Sequence, residues 1–173
     1  MGARYRLGQF WRLLTARGLS AAAQTAVTAV LTPAQQQLFA RFTAGDQWHS
    51  YQVWQTLRAA GHTQLDLQAA ALLHDVGKTR VPLTIWERSL IVLAQKLLPG
   101  KMAEWGQGEA RGWRRPFVVK AQHPTWGADM AAQAGSSLLV VALIRRHQDV
   151  VTETAVTETD RLLHLLQWAD DQH

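Results

Sequence analysis

Apolar positions recur at three- and four-residue spacing along most of this chain, and the strict alternation of half-buried strands is absent. That periodicity predicts an all-α fold. Leu7, Phe10, Trp11 and Leu14 fall on one stripe with arginines alongside, which predicts a basic amphipathic helix over residues 4–17. Ser20 and Thr32-Pro33 read as helix starts, giving helices near residues 20–31 and 33–42, the second with proline at its first position. Asp46 is the expected cap of a longer helix that runs to Ala60 and stops at Gly61. His49, Val53, Leu57 and Ala60 share one face of it, so an imidazole sits on an apolar stripe.

The most apolar helix, Leu65 to Leu73, is expected to start from a Thr63 cap and to end at Gly77 in the left-handed conformation. Another runs from Thr84 through Trp86 to Pro99-Gly100. Residues 100–115 mix glycine, tryptophan and charge without a period and read as a long, partly helical excursion. A helix from Pro116 reaches His123, where Pro124 is expected to break it and start the next, which ends at Gly135. Ser137 to Ile144 is apolar on every side, as suits a fully buried helix or a core strand, and the helical neighbours favour helix. From Thr157 the last helix carries Leu162, Leu163, Leu165, Leu166 and Ala169, with Asp170 on the same core-facing stripe. A carboxylate placed there must be paired or metal-bound.

Composition narrows the chemistry. With 173 residues, 47% of them hydrophobic and 18% charged, the chain fits one domain with a real core. It has no cysteine, which excludes disulfides, thiolate metal sites and cysteine nucleophiles; any protein-bound metal must use histidine and carboxylate. The net charge of +5 belongs to the first 45 residues, where Arg4, Arg6, Arg12, Arg17 and Arg41 precede any acidic group. Charge confined to one end argues against a nucleic-acid partner. Two arrangements of helix 4–17 stand: its Phe/Trp face packs onto the domain, the commoner case, or it lies peripherally on an anionic membrane. Trp86, Trp105 and Trp113 carry the same alternatives, interfacial anchoring or packing. No apolar run reaches the roughly 18 residues of a spanning helix and no signal-peptide pattern is present, so the expected location is cytoplasmic, membrane-peripheral at most.

Six potential ligands remain: His49, His74, Asp75, His123, His147 and Asp170, each near a helix end or on a core-facing stripe. Their N/O chemistry suits one or two divalent ions of iron, manganese, zinc or magnesium. His74 and Asp75 are adjacent, diverge by about 100° on a helix, and make sense together around a third object. Alone, such a pair could equally be a core histidine bonded to backbone beside an aspartate paired with Lys78.

Over residues 45–171 the sequence resembles the HD-domain superfamily of metal-dependent phosphohydrolases, whose pattern is a histidine, a His-Asp pair and a distant aspartate. His49-Ser50 with Val53, the block His74-Asp75-Val76-Gly77-Lys78, and Trp168-Ala169-Asp170 match it in order. His123-Pro124-x-x-Gly127-Ala128 and His147 resemble the two extra histidines of the branches that hold two metals, the HD-GYP branch among them. Gln148 and Asp149 follow His147 and no Gly-Tyr-Pro block occurs, so that branch's cyclic-di-GMP hydrolysis is not carried over.

The resemblance implies a single-domain helical bundle over residues 45–173; residues 1–44 lie outside it and read, from their charge and apolar period, as a basic helical extension. It implies a first ion on His49, His74, Asp75 and Asp170, and a second on His123 and His147 that shares Asp75. Asp75 and Lys78 would be catalytic. Lys78, with Arg145 and Arg146, would contact the phosphate of a small phosphorylated substrate such as a nucleotide. A lysine at a helix end and ordinary surface arginines are the plainer readings of those three residues. A non-catalytic HD-type module that binds metal or nucleotide and signals to a partner is the second functional reading.

Overall fold

The computed structural model describes residues 18–150 and 157–173, and the helix expected over residues 4–17 lies outside them. The described residues form nine α-helices and three short 3-10 turns, with no strand. In chain order the helices are α1 (Ala21–Thr28), α2 (Pro33–Phe39), α3 (Ala44–Ala59), α4 (Leu65–Leu73), α5 (Ile85–Leu97), α6 (Met102–Trp105), α7 (Arg115–Gln133), α8 (Leu138–Arg146) and α9 (Glu158–Asp170). The 3-10 turns are Val76–Arg80, Pro99–Lys101 and Gly112–Arg114.

Local chemistry explains most of the helix starts. Thr32, Thr84 and Thr157 each close a capping box with the third helical residue, and Ser20 and Ser137 accept from backbone amides of the first turn. In α3 the cap is Thr43, not Asp46. The Asp46 carboxylate is engaged by the Arg88 guanidinium at 2.8 and 3.0 Å, which ties the start of α3 to α5. Gln64 precedes α4 without a side-chain cap, so Thr63 does not have the capping role expected of it.

The core is built around α4, whose residues Leu67 to Leu73 are all buried. Burial of each of its large leucines contributes about 1.5–3 kcal/mol. α3 packs on one side with Val53, Trp54 and Leu57, and the Trp54 indole donates to the Gln68 amide oxygen at 2.9 Å, satisfying the buried polar group of α4. α9 contributes Leu162, Leu163, Leu166 and Ala169 to the same core. Leu19, Val27, Leu31, Leu38, Phe39 and Phe42 join it too, so the described part of the N-terminal extension is built onto the core of residues 45–173. A smaller cluster of Ile91, Ala94 and Phe117 holds α5 to α7, with Trp105 against Phe117.

Three expectations are corrected by tertiary structure. Gly77 is not left-handed; it lies inside the 3-10 turn that continues from α4. A Cβ on Gly77 would sit 1.9 Å from the His123 carbonyl oxygen and 2.6 Å from the Gly127 nitrogen, so close backbone approach to α7 is what demands glycine there. Pro124 does not break the chain into two helices, because α7 passes through it. The missing proline N–H frees the Lys120 carbonyl, and the His123 imidazole donates to that oxygen at 3.0 Å in its place. α8 is a helix, but it is not buried all round: Val140, Leu143 and Ile144 face α4 and α7, while Leu138 is 89% exposed.

Candidate metal centre

The six predicted ligands come together at the end of α4. His74 is its C-cap and Asp75 follows; His49 comes from α3, His123 from the middle of α7, His147 from the C-cap of α8 and Asp170 from the end of α9. Their donor atoms form two groups, His49/His74/Asp170 and Asp75/His123/His147, with the atoms of each group within 4.8 Å of one another. The Asp75 carboxylate joins the groups. Its Oδ2 lies 3.9 Å from His49 Nε2 and 3.5 Å from His74 Nε2, and its Oδ1 lies 3.2 Å from His123 Nε2 and 3.6 Å from His147 Nε2. Asp170 Oδ1 is 3.0 Å from His49 Nε2 and 3.5 Å from His74 Nε2.

Backbone carbonyls orient three of the imidazoles. His74 Nδ1 donates to Ala71 O at 2.9 Å, His147 Nδ1 to Ile144 O at 2.7 Å, and His123 Nδ1 to both Val119 O and Lys120 O at 3.0 Å. A carbonyl only accepts, so the proton of each neutral ring is on Nδ1 and its Nε2 lone pair points into the site. His123 Nε2 and His147 Nε2 are 3.2 Å apart, two lone pairs facing one another. His74 Nε2 is fully buried and has no hydrogen-bond partner.

These observations test the fit to a metal. Ligands about 2.1 Å from an ion, at tetrahedral or octahedral angles, lie about 3.0–3.4 Å from one another. The donor spacings fall on or near that range. A cation is also what the charges call for. Burial opposes charge on His74, yet Asp75 and Asp170 push its pKa up to about 9. Burial pushes His123 down to about 4 against the pull of Asp75. Burial likewise opposes ionisation of Asp75 and Asp170, but Lys78 and His74 around the first, and His74 and His49 around the second, hold both well below the usual carboxylate range.

Lys78 Nζ donates to Asp75 Oδ2. Beside it opens a cavity of about 210 Å³ lined by Lys78, Leu83, Arg88, Ile91, Val119, Lys120 and His123. Lys120 was not foreseen in the sequence. It reaches the Gln148 amide oxygen at 3.0 Å, has no carboxylate partner among the described residues, and is pushed below its ordinary pKa first by burial and then by Lys78. Its position three residues before His123, one helical turn away, was the available sign. Arg88, also unforeseen, faces the cavity while bound to Asp46. Arg145 pairs with Asp129 at 2.8 Å on the surface, and Arg146 bridges Asp149 at 3.2 Å and Asp160 at 2.8 Å; neither lines the cavity. Gln167 Nε2 adds bonds to the carbonyls of His147 and Asp149, fastening α9 to the end of α8.

A family model described as HD domain matches residues 48–173. The chain belongs to the HD-domain family. HD domains are generally metal-dependent phosphohydrolases that bind divalent metals, and the paired His/Asp groups of this HD domain are consistent with such a site. No curated protein and no solved structure matches the chain. Among the described residues no helix is long and apolar enough to cross a membrane.

Proposed function

We propose that this HD domain is a two-metal phosphohydrolase that acts on a small phosphoester, a nucleotide being one candidate class. The observation that carries this reading is the Asp75 carboxylate, which turns one oxygen to each ligand group beside a cavity rich in cations. His49, His74, Asp75 and Asp170 would hold one ion, and Asp75, His123 and His147 the other. Bound divalent metal supplies a water acidic enough to act as nucleophile near neutral pH and offsets charge on the phosphoryl oxygens.

The chain's own groups do the rest. The carbonyl-bound Nδ1 atoms keep three imidazoles in the ligating tautomer, and Lys78 holds the Asp75 carboxylate in place. Lys78 and Lys120, on the cavity wall, would attract and orient the phosphate, while Leu83, Ile91 and Val119 would exclude water from the organic part of the substrate. Arg145 and Arg146 are left out of this scheme, because their carboxylate partners already engage them on the surface.

The test is hydrolysis of p-nitrophenyl phosphate, its bis-ester and a nucleotide panel, under manganese, iron, zinc and magnesium. Turnover by the wild type, lost at least 1,000-fold in Asp75→Ala with the helical spectrum retained, is the expected result. Wild-type turnover in that variant would overturn the reading. Stoichiometric metal with no turnover on any ester would favour the non-catalytic module.

A further inference from the structure

Eight of the twelve large apolar side chains exposed among the described residues lie between Ile85 and Trp113. Most belong to α5, whose inner face, Ile91 and Ala94, packs on Phe117. Its outer face carries Trp86, Leu90, Leu93 and Leu97, which are 84%, 43%, 54% and 63% exposed. Their spacing of four, three and four residues aligns them in a single stripe. That stripe runs almost the whole length of a 13-residue helix, about 20 Å, with no charged side chain in it. The other exposed apolar groups, Leu65, Leu138, Val150 and Trp168, are scattered along the rest of the chain.

Charge selects what covers this face. Residues 80–115 carry seven basic and three acidic groups. Each acid is already engaged: Glu87 by Arg115, Glu104 by Lys101 and Glu109 by Arg111. Arg80, Lys96 and Arg114 have no carboxylate partner among the described residues, so positive charge is left uncompensated along this segment. A second copy would bring two positive faces together. Residues 1–17, with Arg4, Arg6, Arg12 and Arg17 and no acid, would do the same if folded back on it. An anionic surface that accepts apolar side chains without directional bonds satisfies both the stripe and the charge.

We infer that the Trp86–Leu97 face of α5 docks this protein on an anionic lipid bilayer. Tryptophan at one end and leucines behind it insert at headgroup depth, and the flanking cations meet the lipid phosphates. The inner face of the same helix lines the cavity beside the metal centre through Arg88 and Ile91. Docking therefore leaves little more than the thickness of α5 between the membrane and the cavity.

The experiment is flotation of the full chain with vesicles of equal parts phosphatidylglycerol and phosphatidylcholine, and with phosphatidylcholine alone. Leu93→Ser/Leu97→Ser alters side chains that already face water, so the fold is kept, as circular dichroism and thermal melting would check. Leu65→Ser, at a 69% exposed leucine elsewhere, is the control. The expected result is at least tenfold tighter binding to the anionic vesicles, weakened by salt, at least tenfold weaker in the double variant and unchanged in Leu65→Ser. Equal binding to both vesicle types, no vesicle binding, or a double variant that floats like the wild type would each overturn the inference. So would a lipid-free dimer that the double variant converts to monomer, since the face would then join two copies.

Discussion

The side chains of His49 and Asp170 keep 21% and 35% of their exposure, whereas those of His123 and His147, across Asp75, keep 0% and 2%. The more open group has two aspartates around His74, and in the absence of metal a proton on that imidazole satisfies them up to about pH 9. The closed group has one shared carboxylate and two imidazoles whose lone pairs face one another. One half of the centre can therefore substitute a proton for an ion. In the other half burial keeps the His123 ring neutral, and the geometry is imposed by backbone carbonyls and by the packing of α7 against the turn after α4.

Removing one ligand from each half should separate them most. His74→Ala takes away the buried imidazole that lies 3.5 Å from both aspartates and is expected to leave almost no metal and no turnover. His123→Ala should retain about one equivalent, with turnover down at least 100-fold. Elemental analysis of protein prepared without chelator or a histidine-rich tag reads both, and equal metal loss in the two variants would abolish the distinction.

Gly77→Ala attacks what holds the halves together. Its Cβ would meet the His123 carbonyl, so the turn and α7 must separate, at a cost of about 3 kcal/mol or more. Denaturant midpoints should show this loss, with a larger drop in metal affinity at the His123 group than at the His49 group.

Acidity sharpens the comparison next. Metal entering the first group displaces the His74 proton, so its apparent affinity should fall about tenfold per unit as pH is lowered from about 9. His123, pushed down to about 4, stays neutral from pH 5 to 8 and should give the second group a flatter response from that ring. The metal-free fold follows the same signs. The raised His74 value stabilises it fully below 6.5, and that contribution is lost as pH rises from 6.5 to about 9. The lowered His123 value favours the unfolded chain as pH falls from 6.5 to about 4. Melting of chelator-treated protein across pH 4–9 should thus peak near 6.5; a monotonic rise would contradict the His74 assignment, and a monotonic fall the His123 assignment.

The smallest effect is expected from Pro124→Ala. The restored N–H competes with His123 for the Lys120 carbonyl, which should loosen the ring and weaken the second metal a few-fold with little change in stability. Calorimetric titration would measure it, and unchanged affinity would mean that the Val119 carbonyl alone holds the imidazole.

Much of this was readable in the chain because it is local. Hydroxyl caps followed three residues later by a carboxylate or amide marked α2, α5 and α9, and the apolar period placed His49 and Asp170 on inward stripes. What escaped reading depends on partners distant in sequence. Nothing near Gly77 announces a backbone 46 residues away, and the helix through Pro124 persists because a folded imidazole replaces the missing bond. The Asp46 carboxylate is drawn to Arg88 in another helix while Thr43 caps α3, and Leu138 is exposed because α8 lies against the core along one stripe only.

The clamp between the ends of α8 and α9 carries a consequence. Arg146 joins Asp149 to Asp160, and Gln167 bonds the carbonyls of His147 and Asp149, so the register between His147 and Asp170 is held by these bonds on either side of residues 151–156. The spacing of the two ligands is therefore braced by contacts of residues 146–149 with residues 160–167, independently of how the two helices are joined along the chain.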